Sequence, residues 1–276
     1  MKTIFGPAGI PIECNGNNID GLKHSIGLGL KAYEVEFVRG VRMNPKMAYE
    51  LQTISAKHDV RVSCHAPFYL NCNNPEKYKL TRHHLHDCIR VSQSLKLSRI
   101  VFHVGYLMKM ERETALKNSI EMIRKIINEA YELGYKDFTL GPEVAGKHTQ
   151  IGSLVEVIAI CKEFKECKPV IDWAHLHALT NGGLRTRRDF EKVINQIETE
   201  LGKRYLKGLH CHYSNIEYTD KGERRHQPLG SKWGPRFKLL AEVIKDNDYE
   251  FTIICETPLI EQDALKMKSI LNNKSL

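Results

Sequence analysis

Short apolar runs rich in β-branched residues alternate along the chain with longer segments of helical periodicity, and the alternation repeats eight times. The short runs are too apolar for a sheet with one wet face, which indicates parallel strands covered by helices. Clear helical segments lie at residues 44–58, 111–133 and 237–246. The eight strand candidates are residues 3–5, 33–38, 60–64, 100–103, 138–140, 170–172, 208–212 and 251–256.

Eight β/α repeats in 276 residues are typical of one (β/α)8 barrel, so we expect residues 1–276 to form a single TIM-barrel domain. A doubly wound open sheet is the alternative, but no GxGxxG motif follows the first strand. The longest polar connection covers residues 214–233. We expect it to be a functional or mobile loop.

The charge balance adds information about partners. Lys and Arg total 41 against 33 Asp and Glu, a net charge of +8, which favours an anionic partner such as DNA or an acidic small molecule. Eight cysteines without a CxxC pair, and a start without an apolar leader, predict free thiols in a reducing cytoplasm. No apolar run approaches the roughly 20 residues of a membrane span. We therefore expect a cytoplasmic monomer that does not contact membranes.

Imidazoles and carboxylates stand at the ends of the later strand candidates. Active sites of (β/α)8 barrels form at the carboxyl ends of the strands, so these side chains should meet at one mouth. Without cations they would repel one another or lack partners. The donor set favours zinc, with manganese or iron as alternatives. The candidate ligands are His65, His103, Glu143, Asp172, His175, His210, His226 and Glu256.

Strand alternation separates ligands from packing residues. His210 and His212 are two residues apart, so both face the same side of a strand, while Cys211 faces the other. His212 is therefore a possible extra ligand. The same rule turns Cys64 and Cys255 away from the mouth, and we expect these cysteines to pack in the barrel wall.

The other histidines carry no ligand pattern. His83, His84 and His86 fall in one helical stretch, at spacings that cannot place all three on one helix face. We therefore expect these three side chains to be exposed to solvent.

This ordered series resembles the endonuclease IV family of apurinic/apyrimidinic endonucleases, within the xylose isomerase-like superfamily. Its most specific pieces are IDWAH in strand six, and KGLHCHYSN with RHQPLG around and after strand seven. The resemblance holds in register from strand three to strand eight and weakens in the first 60 residues. It implies an enzyme that hydrolyses the phosphodiester on the 5′ side of abasic sites in duplex DNA with three zinc ions, leaving a 3′-hydroxyl.

The resemblance also implies a role for each candidate ligand. Glu143 would be the catalytic carboxylate, because it bridges two metals and orients the attacking water. The implied sets are His65 and His103 with bridging Glu143 for the first metal, Asp172, His210 and Glu256 for the second, and His175 and His226 for the third.

One position departs from the family pattern. The family has Asp two residues before the last histidine, and this chain has Arg224 there. A third metal would then need a carboxylate from Glu223 or from Glu36, since zinc sites usually have at least three protein donors. For Glu36, a salt bridge with Arg39 is an equal alternative. We expect Arg224 to turn outward, toward phosphate.

Basic and aromatic residues complete the resemblance. The family inserts an Arg and a Tyr into DNA at the lesion, and Arg42 and Phe68 stand at matching places, with Tyr69 next to Phe68. Phosphate neutralisation by the rim would make binding salt-dependent. The expected DNA-binding residues are Arg39, Arg42, Phe68, Tyr69, Arg224 and Arg225.

Two other functions remain open. Sugar isomerases and epimerases of the same superfamily use one metal with a similar ligand set, which Glu143, Asp172, His210 and Glu256 would also supply. The additional histidines and the basic surface favour the nuclease. A DNA- or metal-binding protein without turnover is a third possibility, suggested by Arg224.

Overall fold

The computed structural model describes residues 2–272 as two compact units. Among these residues, the terminal unit comprises 2–33, 146–148 and 170–272, and the central unit comprises Glu34–Ala145 and Thr149–Pro169. Within the described part of the chain, no helix is both long and apolar enough to cross a membrane.

The secondary structure follows the β/α alternation of the sequence. The strands are β1 (Ile4–Pro7), β2 (Ala32–Glu36), β3 (Arg61–His65), β4 (Ile100–His103), β5 (Gly105–Tyr106), β6 (Leu140–Glu143), β7 (Gln150–Ile151), β8 (Val170–Asp172), β9 (His210–Tyr213), β10 (Asn215–Thr219), β11 (Gly222–Gln227) and β12 (Thr252–Cys255). The α-helices are α1 (Asn18–Gly27), α2 (Pro45–His58), α3 (Tyr78–Leu95), α4 (Arg112–Glu132), α5 (Leu154–Glu163), α6 (Trp173–Leu179), α7 (Arg187–Leu201), α8 (Phe237–Asp246) and α9 (Ile260–Leu271). Short 3₁₀ turns lie at Pro75–Lys77 and Lys203–Tyr205.

In the terminal unit, β1, β12, β9 and β8 are neighbours in a parallel sheet. His210 lies level with Val170 on one side and Thr252 on the other, and two residues later His212 lies level with Asp172. This register places His212 beside Asp172 at the carboxyl edge, whereas His210 begins β9, level with the first residues of β8 and β12.

In the central unit, β6, β4, β3 and β2 are neighbours in that order. β3 and β4 pair in parallel, and so do β4 and β6. His103 pairs with Glu143, so the last residues of β4 and β6 are side by side. The predicted strand 138–140 begins too early: the strand is Leu140–Glu143, and Glu143 ends it instead of following it. Gly141 and Pro142, which usually interrupt strands, hide this end of β6 in the sequence.

The parallel strands are buried on both faces, as their apolar composition predicts. Cys64, Cys211 and Cys255 are fully buried, which confirms their assignment as packing residues of the strands. Helix α8, for example, packs through one apolar stripe that includes Phe237 and Leu240.

The prediction of a loop over residues 214–233 was wrong for its first part. Residues 215–227 form an antiparallel hairpin, β10 and β11, which turns between Thr219 and Gly222. Gly222 has a φ of +100° and lies against the backbone of Gly146, so a side chain there would clash. The charged run GERRHQ lacks the apolar and β-branched residues typical of a strand. Cross-strand ion pairs stabilise the hairpin instead.

Candidate functional site

Three predicted ligands of the central unit meet at the ends of β3, β4 and β6. His65 Nε2 lies 3.2 Å and His103 Nδ1 3.3 Å from the same oxygen, Oε2 of Glu143. Glu143 is fully buried. His65 Nδ1 lies 2.7 Å from the carbonyl oxygen of Ala66, so it donates its proton there and leaves Nε2 directed at the carboxylate.

The charge of this group explains why a cation fits it. Burial alone would lower the pKa of His65, but the hydrogen bond to Glu143 and the negative charges of Glu36, Glu143 and Glu34 outweigh burial and raise that pKa to about 10. The surroundings thus stabilise positive charge at the imidazole. Imidazole nitrogens converging on a buried carboxylate are also the donors that zinc prefers, so the residues present fit a metal ion.

Glu34 is a functional candidate that the sequence analysis missed. It is fully buried, and its Oε2 accepts a 2.6 Å hydrogen bond from Ser63 Oγ. Glu34 and Glu36 are two residues apart in β2, so strand alternation could have identified both as facing the same side.

In the terminal unit, Asp172 and His175 form a second group. Asp172 ends β8 and caps α6, where its Oδ1 accepts a 2.8 Å hydrogen bond from the backbone N–H of His175. Its Oδ2 lies 3.3 Å from His175 Nδ1. The cap therefore fixes the two side chains of the IDWAH motif in contact with each other.

The β10–β11 hairpin brings two further side chains that could bind a metal, Glu223 and His226, next to His175. His175 Nε2 lies 2.9 Å from Glu223 Oε2 and 3.5 Å from His226 Nε2. One donor atom each from Asp172, His175 and His226 lies within 4.8 Å of the others, a spacing that suits one metal ion. His226 Nδ1 lies 2.9 Å from the carbonyl oxygen of Glu256, which orients the ring.

A β-bulge explains how Glu223 comes to face His175. Glu217 pairs with Arg225 and Tyr218 pairs with Glu223, so Arg224 is an extra residue on β11. In a regular strand, residues three apart face opposite sides; the extra residue brings Glu223 and His226 to the same side. The bulge thus places Glu223 beside His175 although Glu223 lies three residues before His226.

The remaining strand-end residues of the terminal unit lie beside this group. His212 Nδ1 is 3.0 Å from Glu256 Oε1, and the rings of His210 and His212 are 5.5 Å apart. Both histidines are buried. His212, proposed from its spacing as an extra ligand, therefore contacts a carboxylate, as His65 does in the central unit.

Arg224 and Arg225 turn away from the donors, onto Glu217. Arg224 NH1 donates a 2.7 Å bond to Oε1 and Arg225 Nε a 2.8 Å bond to Oε2 of that carboxylate. The two side chains remain 68% and 72% exposed, so both guanidinium groups are accessible to solvent. These bonds hold the pKa of Glu217 below its ordinary value, against burial.

The other proposed DNA-binding residues belong to the central unit. Arg39 and Arg42 are exposed. Phe68 is 55% exposed, and its ring lies edge-on to Tyr69 at 5.4 Å.

The expectation that His83, His84 and His86 are all exposed was wrong. Only His83 is exposed; His84 and His86 are each 8% exposed. His86 Nε2 lies 2.9 Å from the carbonyl oxygen of Ile126 in α4, and the hydroxyl of Tyr69 lies 3.0 Å from His84 Nε2. Neighbouring segments cover helix α3 on more than one side. The spacing of the histidines along the helix therefore underestimated how many of them are buried.

Known proteins with similar sequences give these groups a context. A family model described as xylose isomerase-like TIM barrel matches residues 25–271. An uncharacterized protein of Methanocaldococcus jannaschii is 34% identical over 276 residues, which cover 99% of this chain and 98% of that protein. A protein of Mycoplasma mobile named probable endonuclease 4 is 24% identical over 208 residues, 75% of this chain and 72% of its own.

Two solved structures share the fold. Endonuclease IV from Thermus thermophilus superposes with a TM-score of 0.74 at 14% identity, covering 98% of this chain and 99% of that one. A D-tagatose 3-epimerase-like protein gives 0.72 at 21% identity, covering 99% and 97%. With the family match, these similarities confirm the TIM-barrel fold predicted from the eight β/α repeats.

Proposed function

This chain belongs to the xylose isomerase-like TIM barrel family, and from that premise we propose that it is a metal-dependent hydrolase that cuts duplex DNA on the 5′ side of abasic sites. The observation that carries the proposal is that each unit holds its own imidazole–carboxylate group: His65 and His103 on Glu143, and His226 and Glu223 on His175. A sugar epimerase with a single metal needs only one such group.

Two further observations support a DNA substrate. The similarity in sequence to a protein named probable endonuclease 4 extends over 208 residues. The net charge of +8 and the two exposed guanidinium groups on Glu217 suit a polyanion, whereas a neutral sugar needs neither. A cytoplasmic location and a monomeric state remain predictions.

Most of the residues that would hold the metals stand at or next to carboxyl ends of strands, where TIM barrels carry their active sites. His210 and Glu223 lie instead near the starts of β9 and β11. Zinc bound to these donors would lower the pKa of water and neutralise the charge that develops on the phosphodiester. The proposed ligands are His65, His103 and Glu143 in the central unit, and Asp172, His175, His210, Glu223, His226 and Glu256 in the terminal unit, with His212 and Glu36 as possible additions.

The protein's own groups then have separate tasks. The Glu143 carboxylate accepts a hydrogen bond from the attacking water and orients it toward phosphorus. Arg224 and Arg225 donate to phosphate oxygens of the substrate, from side chains that Glu217 already holds in place. Phe68, which is exposed, would stack on a base beside the lesion, with Tyr69 supporting its ring.

The test is incubation of the purified protein with a duplex that carries one abasic site. We expect a single cut 5′ to the site on a denaturing gel, loss of cutting after prolonged treatment with a strong chelator, and recovery on adding zinc. The same duplex without the abasic site is the matched control. No cutting with zinc or manganese supplied would refute the proposal.

A second candidate is epimerisation of a ketohexose by a single metal. It is favoured by the burial of Asp172 and His210 in the terminal unit, which would serve as metal ligands in such an enzyme. Conversion of a ketohexose to its epimer, together with no DNA cutting, would select this alternative.

A further inference from the structure

Helix α3 carries a cluster of donors outside both groups described above. One ring nitrogen each of His83 and His84 and one carboxylate oxygen of Asp87 lie within 4.8 Å of one another. His83 Nε2 is 3.4 Å from Asp87 Oδ2, and the two imidazole rings are 5.1 Å apart. Positions i and i+4 of a helix are neighbours on its surface, and the adjacent ring of His84 turns toward them.

After their other contacts are counted, Asp87 and His84 each keep one atom that could bind a metal ion. Arg90 donates to Oδ1 of Asp87 from Nε and NH2, at 3.3 and 3.2 Å, so the carboxylate is oriented and Oδ2 is left toward His83. His84 Nε2 is engaged by the hydroxyl of Tyr69 at 3.0 Å.

The other nitrogen of His84 is the more informative one. The residue is only 8% exposed, and its Nδ1 is buried with no hydrogen-bond partner among residues 2–272. A buried ring nitrogen without a partner is costly. If Nε2 donates its proton to the Tyr69 oxygen, Nδ1 carries the lone pair, as in histidines whose second nitrogen is hydrogen-bonded while the first binds a metal.

We propose that His83, His84 and Asp87 form an accessory binding site for a divalent transition-metal ion, with zinc as the ion best suited to two imidazoles and one carboxylate. Three protein donors are enough for such a site, and His83, whose side chain is 63% exposed, leaves the remaining coordination positions open to water.

The position of this site gives it a structural consequence. Through the Tyr69–His84 hydrogen bond, an ion on His84 would restrain Tyr69, and Tyr69 packs against the exposed Phe68. The accessory ion would thus order an aromatic segment of the central unit without taking part in any reaction.

The experiment is equilibrium dialysis of the full chain against zinc, followed by elemental analysis. We compare the parent with His83→Gln, a change at an exposed side chain, and with His58→Gln in helix α2 as the matched control. We expect His83→Gln to retain one zinc fewer per chain than the parent, and His58→Gln to retain the parent number. Equal zinc in the parent and His83→Gln would overturn the proposal, as would an equal loss in both variants.

A second measurement does not depend on counting ions. Imidazole ¹⁵N spectra of the parent, recorded while zinc is added, should show a shift of the His84 Nδ1 signal that is absent in Asp87→Asn. A His84 signal that does not move with zinc in the parent would also refute the site. Both measurements are independent of DNA cutting, so the failure of this proposal and of the proposed function can be told apart.

Discussion

The two donor groups differ in what holds them. In the central unit, His65, His103 and Glu143 are each the last residue of a parallel strand, so the sheet register sets their spacing. In the terminal unit, the partners of Asp172 come from the first turn of α6 and from a hairpin outside the main sheet. Backbone pairing thus fixes one group, whereas a cap, a turn and a bulge assemble the other.

This difference shows where a sequence pattern can change without loss of geometry. A strand in the middle of a sheet cannot gain a residue without turning every later side chain to the other face. A hairpin outside the main sheet can, because a bulge absorbs the extra residue. The departure from the family pattern at Arg224 occurs in the hairpin and not in the main sheet.

The largest effect should come from Glu143→Gln. The amide is neutral and could not hold a metal ion as a charged ligand, so we expect cutting at an abasic site to fall by more than about a hundredfold with the fold retained. Turnover on the abasic duplex and circular dichroism measure the two effects. Activity within a few-fold of the parent, at equal folded fraction, would remove Glu143 from the site.

A smaller effect is expected for Glu223→Gln, which tests whether the hairpin supplies a ligand. We expect the variant to retain one zinc ion fewer per chain than the parent after dialysis, because the site would lose one of its ligands. Glu217→Gln in the same hairpin is the matched control and should keep the parent zinc count. The parent zinc count retained by Glu223→Gln would rule out this carboxylate and leave Glu36 or water as the donor.

The rigidity of the central group can be tested through Glu156 at the start of α5. Its carboxylate accepts bonds from Arg112 and from the N–H groups of Gly152 and Ser153, and Gly152 lies directly against the backbone of Glu143. We expect Glu156→Gln to lower the free energy of unfolding by about 1–3 kcal/mol, measured by urea denaturation. Glu163→Gln, at an exposed ion pair of the same helix, should cost less than about 1 kcal/mol. Equal losses in the two variants would contradict this role.

The same carboxylate gives a pH dependence with a definite sign. Burial alone would raise the pKa of Glu156, but the Arg112 and backbone bonds outweigh it and hold that pKa below the ordinary value of 4.5. The stabilisation is therefore complete above pH 4.5 and is lost as the pH falls through the lower pKa of the folded state. The difference in unfolding free energy between the parent and Glu156→Gln should shrink over that range. A constant difference would refute the charge-based origin.

The smallest effect is expected for Arg225→Ala, which affects binding and not chemistry. Losing one phosphate contact should weaken binding to all duplexes alike and reduce the slope of log affinity against log salt by about 1. Arg42→Ala should do the same from the central unit. Arg61→Ala, at the amino end of β3, is the control and should leave the slope unchanged. An unchanged salt slope in Arg225→Ala would show that Arg225 does not contact phosphate.

Much of the fold followed from the sequence because strands buried on both faces leave a strong signal. Helix α8 has the bounds predicted from its periodicity, residues 237–246. The ends of β6 did not follow, since Gly141 and Pro142 disfavour strands and pairing with β4 overrides that preference. The β10–β11 hairpin was missed because its second strand is charged and depends on cross-strand partners that lie apart in the sequence.

For the candidate site, the sequence could identify donor residues but not their contacts. Strand ends named His65, His103 and Glu143, since any parallel sheet brings such ends to one edge. The sequence left Glu223 and Glu36 as alternative carboxylates for the third metal, because choosing between them required knowledge of the bulge. The burial of His84 was also beyond a single-helix pattern, as it depends on Tyr69 and on neighbouring helices.

The bulge also affects how this chain should be aligned with its relatives. A motif search with fixed spacing finds Arg224 two positions before His226 and therefore reports that the acidic residue is missing. Treating Arg224 as a one-residue insertion instead places Glu223 where the resemblance predicts an acidic residue, and the hairpin register supports this interpretation. In strands that tolerate bulges, a single-residue insertion can therefore keep a carboxylate beside its histidine, although a motif of fixed spacing would miss it.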